Sequence, residues 1–313
     1  MNRAAKESFK RLLSKIFVAA QRLGVDILPR HFYSEIPDIR KLKATTAWRE
    51  AFTMKGVAGT APQSQIKHIA DLFDDGMRSE LRDRHVHAIA CERNGTEGFG
   101  PVEADVLHAF IRRLRPRKII QVGCGVSTAI CLDAAQMAGY PAEIICVEPY
   151  PNGFLKSQAE LGNIILIGQP VENLASSFVE ALDDGDLFFV DSSHTLGPAG
   201  EVSRIILELL PNLKSGVFVH FHDICFPYDY HGGILDNPQF FPHESVLLHA
   251  FLAYNQLFEI VFSLSMLHHK AQAELKTILP NYRPARHEGG LLKVPGDFPS
   301  STYLRRIGPL VAD

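Results

Sequence analysis

One segment near residue 120 constrains the fold more than any other. An apolar run at residues 118–122 is followed by a turn with two glycines and then by two hydroxyl side chains. These residues are Gly123, Cys124, Gly125, Ser127 and Thr128. Glycine permits a backbone with positive φ that passes close to a ligand, and free N–H groups at the start of a helix attract polar or anionic groups. The segment predicts a strand, a ligand-binding turn and a helix.

A carboxylate stands where a nucleoside ligand would need it. A second apolar run, residues 144–147, ends in Glu148, at the spacing expected of an acid that holds ribose hydroxyls. A dinucleotide site would have a third glycine for close helix packing around a pyrophosphate, and Thr128 or Ala129 stands there instead. The pattern favours a nucleoside ligand without a pyrophosphate, such as S-adenosylmethionine.

Composition and charge exclude several classes of protein. The formal net charge of -3 at pH 7 argues against a general nucleic-acid binder, which would show a basic excess. The five cysteines are odd in number and form no C-x-x-C pair, so we expect neither a disulfide framework nor a zinc ribbon. No apolar run approaches the roughly 20 residues that cross a bilayer, and no signal-peptide core is present. We therefore predict a cytoplasmic protein without a nucleic-acid partner or a transmembrane segment.

Residues 1–24 predict a basic amphipathic helix. Lys and Arg far outnumber the single Glu7, and apolar residues recur at helical spacing. We expect this helix to pack on the body of the protein with its basic face in solvent. The alternative is a helix that lies on an anionic membrane surface.

The rest of the chain predicts an α/β fold with a helical N-terminal cap over residues 1–100. That cap would serve the acceptor site or a homodimer contact. From residue 101 apolar strands alternate with amphipathic helices, which indicates a Rossmann-like, doubly wound, mostly parallel seven-stranded sheet. The strands are predicted at 118–122, 143–147, 163–167, 186–191, 216–221, 257–263 and near 289–294, and the helices at 102–114, 127–138, 153–161, 171–181, 199–210 and 243–255. Residues 264–288 would be an insertion with a solvated His268–His269 pair.

Acids and histidines follow the ends of two predicted strands, where ligands gather in open α/β sheets. The segment 191–194 contains Asp191, Ser192 and His194, and the next strand ends at His222 and Asp223. Asp191 follows a strand too apolar to tolerate an unpaired charge, so it needs a partner. We expect His220, which shares a face with His222, to be a hydrogen-bonded core residue.

The chain resembles the class I S-adenosylmethionine-dependent methyltransferases, specifically the bacterial group called methyltransferase domain 24. The resemblance rests on residues 121–128, 190–194 and 210–224, is extended by 31–37, 227–230 and 250–255, and covers most of residues 25–265. Two departures concern Gln121, which replaces an acid expected to contact the methionine amino group, and the segment 240–244, where an aromatic and acidic stretch is usual.

The resemblance implies a cofactor site and a catalytic site. Asp191 would face the reactive sulfonium, Glu148 would take the ribose hydroxyls, and Gln169 would border the adenine. The full predicted cofactor site is Gln121, Gly123, Cys124, Gly125, Ser127, Thr128, Glu148, Gln169, Asp191 and Ser192. The predicted catalytic residues are Asp191, His194, His222 and Asp223.

The residues leave more than one chemistry open. His222 or His194 could remove the acceptor's proton, or Asp191, His222 and Asp223 could hold Mg²⁺ or Mn²⁺ that lowers the pKa of an acceptor hydroxyl. We favour the metal-free version, with a small-molecule acceptor such as a hydroxyl compound, a sugar or a secondary metabolite. The rivals are a metal-dependent oxygenase or hydrolase that works through His220, His222 and an acid, and a non-catalytic protein that binds S-adenosylmethionine.

Overall fold

The computed structural model divides the chain into two compact units, residues 1–46 and residues 47–313. The described residues are 3–34, 36–236 and 240–308. The predicted cap ended at residue 100, whereas the unit that contains the sheet begins at Ala47. The role of residues 1–100 in acceptor binding or dimer contact stays a prediction.

The first unit contains two helices, α1 (Arg3–Gln21) and α2 (Ile39–Ala44). The helix predicted within residues 1–24 is therefore present over most of that range. Asp38 is the N-cap residue of α2, and its side chain accepts hydrogen bonds from the backbone N–H groups of Arg40 and Lys41. Such a cap satisfies donors that have no partner within the helix. Among the described residues, no helix is long and apolar enough to cross a membrane.

The second unit is built on one sheet of seven strands. The strands of this unit are β1 (Lys118–Val122), β2 (Glu143–Val147), β3 (Ile165–Ile167), β4 (Leu187–Val190), β5 (Phe218–Phe221), β6 (Phe258–Ser263), β7 (Arg286–Glu288), β8 (Leu291–Val294) and β9 (Thr302–Arg306). The order across the sheet is β3-β2-β1-β4-β5-β9-β6, and β9 runs antiparallel to both its neighbours. The predicted doubly wound, mostly parallel, seven-stranded sheet is confirmed.

Two cores lie on the opposite faces of this sheet. Ile119 and Ile120 are both fully buried, one in each core, because successive residues of a strand point to opposite faces. This is why consecutive residues of β1, such as Ile119 and Ile120, are both apolar. The helices of this unit are α3 (Pro62–Leu72), α4 (Asp75–Arg84), α5 (Val86–Asn94), α6 (Pro101–Leu114), α7 (Val126–Ala138), α8 (Gly153–Glu160), α9 (Glu201–Arg204), α10 (Glu244–Leu252), α11 (Leu264–Lys270) and α12 (Gln272–Ile278).

The last strand of the sheet is not the predicted one. We expected residues 289–294 to complete the sheet, but β8 pairs with β7 in a separate two-stranded sheet. The strand inserted between β5 and β6 is β9. We did not predict it, because its last two residues are the arginines Arg305 and Arg306. Arg306 is buried there, and its guanidinium donates to the carbonyls of Leu257 and Ile307. The insertion after β6 therefore extends beyond the predicted residue 288.

Two predicted helices are broken in the structure. Residues 171–181 form two short 3₁₀ turns, Val171–Asn173 and Ser176–Ala181, because Leu174 and Ala175 between them have extended backbone. The helix predicted at 199–210 begins at Glu201 and continues from α9 into wider π-helical turns at Ile205–Leu209. In both segments most of the large apolar residues are buried, among them Val179 and Ile205, whereas Leu207 is exposed. The periodicity therefore predicted most of the buried face but not the backbone.

A buried ion cluster joins α7 to helices that precede the sheet. Asp133 on α7 is 6% exposed, and it accepts hydrogen bonds from Arg84 at 2.8 and 2.9 Å and from His108 Nε2 at 3.1 Å. Arg93 adds an ion pair at 3.3 Å. Burial alone would raise the pKa of Asp133, but hydrogen bonds and charges from His108 and Arg84 lower it to about 2.

Replacing this carboxylate should destabilise the fold. Asp133→Asn should lower the free energy of unfolding at pH 7 by about 2 kcal/mol, since one unit of pKa shift corresponds to about 1.4 kcal/mol. In the wild type this stabilisation is present above the unfolded-state pKa of 3.8 and is lost as pH falls through about 2. Urea titrations at pH 7 and at pH 3 measure both effects.

The control for this prediction is Asp83→Asn, which changes an exposed carboxyl on α4. It should alter the free energy of unfolding by less than about 0.5 kcal/mol. Equal stability of Asp133→Asn and wild type at pH 7 would contradict the assigned role of the ion cluster.

Candidate active site

The glycine turn after β1 packs against the end of β4. Gly123 has a φ of 77°, and a Cβ atom built on it would lie 1.9 Å from the carbonyl oxygen of Asp191. No other residue fits at this position, both for its backbone conformation and for its lack of space. The Thr128 hydroxyl, itself buried, accepts a hydrogen bond from the N–H of Gly125 at 3.3 Å. The predicted strand, turn and helix are therefore present, and the turn adjoins Asp191.

Glu148 follows β2 and holds the turn from its other side. One of its carboxylate oxygens lies 3.3 Å from the N–H of Cys124, and the other accepts from the N–H of Tyr150 at 2.9 Å. The side chain is half-buried, so its remaining lone pairs can accept from a ligand. Gln169, also half-buried, follows β3 on the same edge.

Gln121 and Ser127 lie beneath this turn instead of at its surface. The Gln121 side chain is fully buried in β1, and its Nε2 has no hydrogen-bond partner. Its Oε1 is 3.9 Å from the thiol of Cys146 on the neighbouring strand. Ser127 is 4% exposed. A buried amide without a partner is costly, so Gln121 carries a donor that the polypeptide alone does not satisfy.

His194 is held by a buried glutamate at the start of α10. Its Nδ1–H donates to Glu244 Oε2 at 2.7 Å, and the hydroxyl of Ser192 donates to the other oxygen of Glu244 at 2.9 Å. The opposite nitrogen, Nε2, lies 3.4 Å from Asp191 and 3.7 Å from Asp223. This arrangement fixes the ring and directs Nε2 towards both acids of the rim.

His222 also lies within ion-pair distance of a buried glutamate, although its Nδ1 has no hydrogen-bond partner. Its Nδ1 lies 3.3 Å from Oε1 of Glu103, a buried residue in the first turn of α6. Its Nε2 lies 3.5 Å from Asp223, and its ring packs on Phe99 with centroids 4.7 Å apart. The hydroxyl of Ser300 donates to Asp223 at 2.8 Å. Asp223 therefore lies between the two histidines.

The paired carboxylates keep both imidazoles protonated. Burial alone would lower the pKa of His194, but its hydrogen bonds to Asp191 and Glu244 raise it to about 10. Burial has the same sign at His222, where the charges of Glu103 and Asp223 raise the pKa to about 10. For Asp223, burial would raise the pKa, but the charges of His222 and His194 hold it below its usual value.

The rim as a whole carries negative charge. Each histidine–glutamate pair is formally neutral, whichever partner holds the proton. Asp191 and Asp223 then contribute charges that neither pair cancels. Interactions between charges strengthen away from bulk water, so the rim attracts a cationic group placed beside these two acids.

A cavity of about 500 Å³ opens beside Asp223. Its lining combines apolar side chains, among them Ile234 and Phe298, with the polar groups of Asp223, His231 and Ser300. This volume and this mixture are typical of sites for small molecules. Asp223 is thus shared between the cavity and the histidine pairs that adjoin the glycine turn.

Two strained residues are found at this rim. His194 has a φ of 59° and Asp223 a φ of 54°, a left-handed conformation that costs energy in residues other than glycine. Such conformations cluster at functional sites, where the surrounding structure enforces them. Here the carboxylate and hydroxyl partners described above hold both side chains.

The structure brings together the four predicted catalytic residues, which are Asp191, His194, His222 and Asp223. It adds Glu103, Glu244 and Ser300, which we did not predict. Glu103 could have been found as an acid within the apolar start of α6, where a charge needs a partner. Glu244 and Ser300 gave no such signal, because their partners are distant in sequence. His220 is a core residue as predicted: it is fully buried, hydrogen-bonded to Ser301 and stacked on Phe189.

Possible metal ligands meet at a different place from the predicted one. Among the residues that the structure describes, one group of three has all its ligand atoms within 4.8 Å of one another, and it consists of His268, His269 and His287. The prediction that the His268–His269 pair is solvated surface is wrong, because His268 is 2% exposed and His269 is half-buried. A metal role for Asp191, His222 and Asp223 stays a prediction.

A family model and one relative match this chain in sequence. The family model described as "Methyltransferase domain" matches residues 120–224, which include the glycine turn, Glu148, Asp191 and Asp223. An uncharacterised protein of Archaeoglobus fulgidus is 30% identical over 211 residues, which cover 63% of this chain and 86% of that protein. Residues 120–224 of the chain are therefore a methyltransferase domain.

Solved methyltransferases also resemble the chain at low identity. The O-methyltransferase TomG of Streptomyces achromogenes, solved with S-adenosylmethionine, is 15% identical over 75% of this chain and 91% of its own, with a TM-score of 0.43. The Podospora anserina methyltransferase PaMTH1, solved with S-adenosylhomocysteine, is 17% identical over 91% of this chain and 100% of its own, with a TM-score of 0.36. These values are too low to assign an acceptor or the role of any residue.

The protonation of His194 can be measured directly. With its pKa raised to about 10, its imidazole should be protonated at pH 7.5, and Glu244→Gln should bring the pKa down by removing one carboxylate partner. The stabilisation from this histidine is present below its unfolded-state pKa of 6.5 and is lost as pH rises through about 10. Histidine NMR titrations of the two proteins test this.

The exposed glutamate Glu274 on α12 provides the control variant, Glu274→Gln, which should leave the His194 titration unchanged. If His194 of the wild type titrated near 6.5, the ordinary value of a histidine, the assigned pairing with Glu244 would be wrong.

Proposed function

We propose that this methyltransferase transfers its methyl group to a hydroxyl of a small acceptor that binds in the cavity beside Asp223. The observation that carries the proposal is the position of Asp223, which lines the cavity and lies 3.7 Å from His194 Nε2. A carboxylate and an oriented histidine at one point are the groups needed to hold an acceptor hydroxyl and remove its proton.

The edge beside the glycine turn would hold S-adenosylmethionine. Gly123, Cys124 and Gly125 would pass beneath the methionine and ribose. The two glycines have no side chain, and the Cys124 thiol contacts the carbonyls of Gln121 and Val147. Glu148 would accept from the ribose hydroxyls. The other contacts that we propose are those of Gln121, Ser127, Thr128, Gln169, Asp191 and Ser192. The negative charge of Asp191 and Asp223 supports a ligand with cationic groups, as the sulfonium and ammonium of S-adenosylmethionine are.

We assign the base to His194. Its bond to Glu244 is short at 2.7 Å, and its Nε2 points to both Asp191 and Asp223. S-adenosylmethionine supplies an electrophilic methyl group and leaves as S-adenosylhomocysteine. The acceptor oxygen forms the new bond to carbon, and its proton passes to His194 in its neutral form. Asp223 positions the hydroxyl, and His222, held protonated by Glu103, keeps Asp223 ionised.

The acceptor class follows from the cavity. The lining includes apolar and polar side chains. The apolar ones are Ile234, Phe240, Pro242 and Phe298, and the polar ones are Asp223, His231 and Ser300. This lining suits a hydroxylated apolar or aromatic molecule of the kind found among secondary metabolites. A cytoplasmic location, a bacterial source and a homodimer contact through residues 1–100 stay predictions from the sequence.

Loss of the Glu148 carboxylate should weaken cofactor binding. Glu148→Ala should weaken the binding free energy for S-adenosylmethionine by about 1 to 3 kcal/mol, since hydrogen bonds to charged groups are worth about this much. Calorimetric titration of wild type and variant measures the difference. The matched control is Glu143→Ala, which removes a partly exposed carboxylate at the opposite end of β2. Equal affinities for Glu148→Ala and wild type would remove Glu148 from the binding site.

The base should be visible in the pH profile. Incubation with labelled S-adenosylmethionine and metabolite extracts would identify the acceptor as a labelled small molecule, and kcat/KM can then be followed with pH. Because His194 must lose its proton, kcat/KM should rise above neutrality, by about tenfold per pH unit, and should not level off near 6.5. His194→Gln should abolish this rise.

Chelators separate this mechanism from its metal-dependent alternative. With His194 as base, a chelator of Mg²⁺ and Mn²⁺ should leave turnover unchanged. If chelation abolished turnover, left cofactor binding intact and was reversed by either cation, the version with Asp191, His222 and Asp223 as ligands would replace it. Full activity in both His194→Gln and Asp223→Asn would contradict both versions.

A further inference from the structure

Three histidines converge in the insertion between β6 and β9. His268 and His269 lie in the last turn of α11, and His287 lies at the centre of β7. The ring of Phe298 contacts all three, with centroids 5.1, 5.6 and 5.2 Å from them in that order. One ligand nitrogen of each histidine lies within 4.8 Å of the other two. Two separate elements, α11 and β7, thus bring three imidazoles close together.

We propose that His268, His269 and His287 bind a divalent transition-metal ion, with zinc as the expected metal. Imidazole nitrogens suit zinc and its neighbours in the first transition row, whereas Mg²⁺ and Ca²⁺ require oxygen ligands. Three protein nitrogens and one open position are a known arrangement for tetrahedral zinc. The fourth position would be taken by water or another small ligand.

The spacing of the nitrogens fits such an ion. His268 Nε2 and His287 Nδ1 are 3.1 Å apart. Two nitrogens bound tetrahedrally to zinc at about 2.0 to 2.1 Å would be separated by about 3.3 Å. The observed distance therefore needs to open by only a few tenths of an ångström to admit the metal, which side-chain torsions can provide.

A buried tyrosine orients the first of these histidines. The hydroxyl of Tyr282, which is fully buried, lies 2.6 Å from Nδ1 of His268. This bond occupies Nδ1 and leaves Nε2 directed at His287. Histidines that bind metals almost always use their second nitrogen in a bond of this type, which fixes the ring and the tautomer. Tyr282 is therefore a positioning residue for the proposed site.

The electrostatic environment keeps these imidazoles neutral. Burial, together with the neighbouring histidines, lowers the pKa of His268 to about 3 and that of His269 to about 4. Burial also lowers the pKa of His287. Neutral imidazoles have the lone pair that a metal needs. They would otherwise pack as rings, with a hydrogen bond between His268 and His287, and this metal-free packing is the outcome that the test must exclude.

The site adjoins the proposed acceptor cavity without sharing its acids. Phe298 lines the cavity and also contacts the histidines. Gly232 follows the cavity residue His231 and packs closely on His287, since a Cβ atom built on Gly232 would lie 2.6 Å from that ring. A bound ion would link α11 to β7 and so support this wall of the cavity. Its detection does not depend on methyl transfer, so failure of the proposed function would leave this inference standing.

The test measures zinc binding to the full chain, freed of any affinity tag and stripped of metal. Competition with a chromogenic zinc chelator should give one ion per chain. His269→Gln and His287→Gln should each weaken the affinity at least about 100-fold, and Tyr282→Phe, which keeps every ligand, should weaken it by about 10- to 100-fold. His249→Gln, which changes a half-buried histidine elsewhere, should leave it unchanged.

Cobalt provides an independent readout. Co²⁺ in a tetrahedral nitrogen site absorbs visible light, and this band should appear with wild type and disappear with His287→Gln. Far-UV circular dichroism of each variant establishes that it is folded, and Tyr282→Phe keeps the test decisive if a ligand variant unfolds. Wild-type protein that binds no zinc, or that binds it as tightly after Tyr282→Phe and His287→Gln as before, would overturn the proposal.

Discussion

The close contact between Gly123 and the Asp191 carbonyl is the constraint on which the active site depends. It brings the ends of β1 and β4 so near that no Cβ atom fits between them. The same contact places Asp191 beside the turn, and β5, the next strand of the sheet, places Asp223 beside Asp191. The other functional groups at this edge are positioned relative to the ends of these three strands. A parallel sheet provides this convergence without any local sequence requirement beyond one glycine and short strand exits.

Two buried glutamates determine what this edge can do. Buried charges are costly unless they are paired, and Glu244 and Glu103 are each paired with a histidine of the rim. The pairing orients both imidazoles and raises the pKa of each. His194 is therefore a strong base, but only a small fraction of it is in the neutral form at pH 7. Binding of a sulfonium cation nearby would oppose that shift and favour the neutral imidazole. The charge of the ligand and the fraction of neutral His194 are thus coupled through Asp191 and Asp223.

Local signals predicted the fold well, and contacts between distant residues account for most of what they missed. The bounds of β1 and β2 agree with the prediction, because continuous apolar runs bounded by polar residues define them. The strand β9 was missed because Arg305 and Arg306 are atypical of a buried strand, and only carbonyls that gather around Arg306 in the folded chain make its burial tolerable. The role of Glu244 depends on His194, which is 50 residues away, and the position of His287 depends on His268, which is 19 residues away. Asp191 and Asp223 were predictable, since their strands end visibly in the sequence.

Diffraction from crystals grown with S-adenosylhomocysteine would test the central claim most directly, namely that the cofactor and acceptor meet at this edge of the sheet. The ribose hydroxyls should lie within hydrogen-bonding distance of the Glu148 carboxylate, and the sulfur should face the cavity between Asp191 and Asp223. Density for the ligand away from the glycine turn, or a sulfur turned away from Asp223, would contradict the claim.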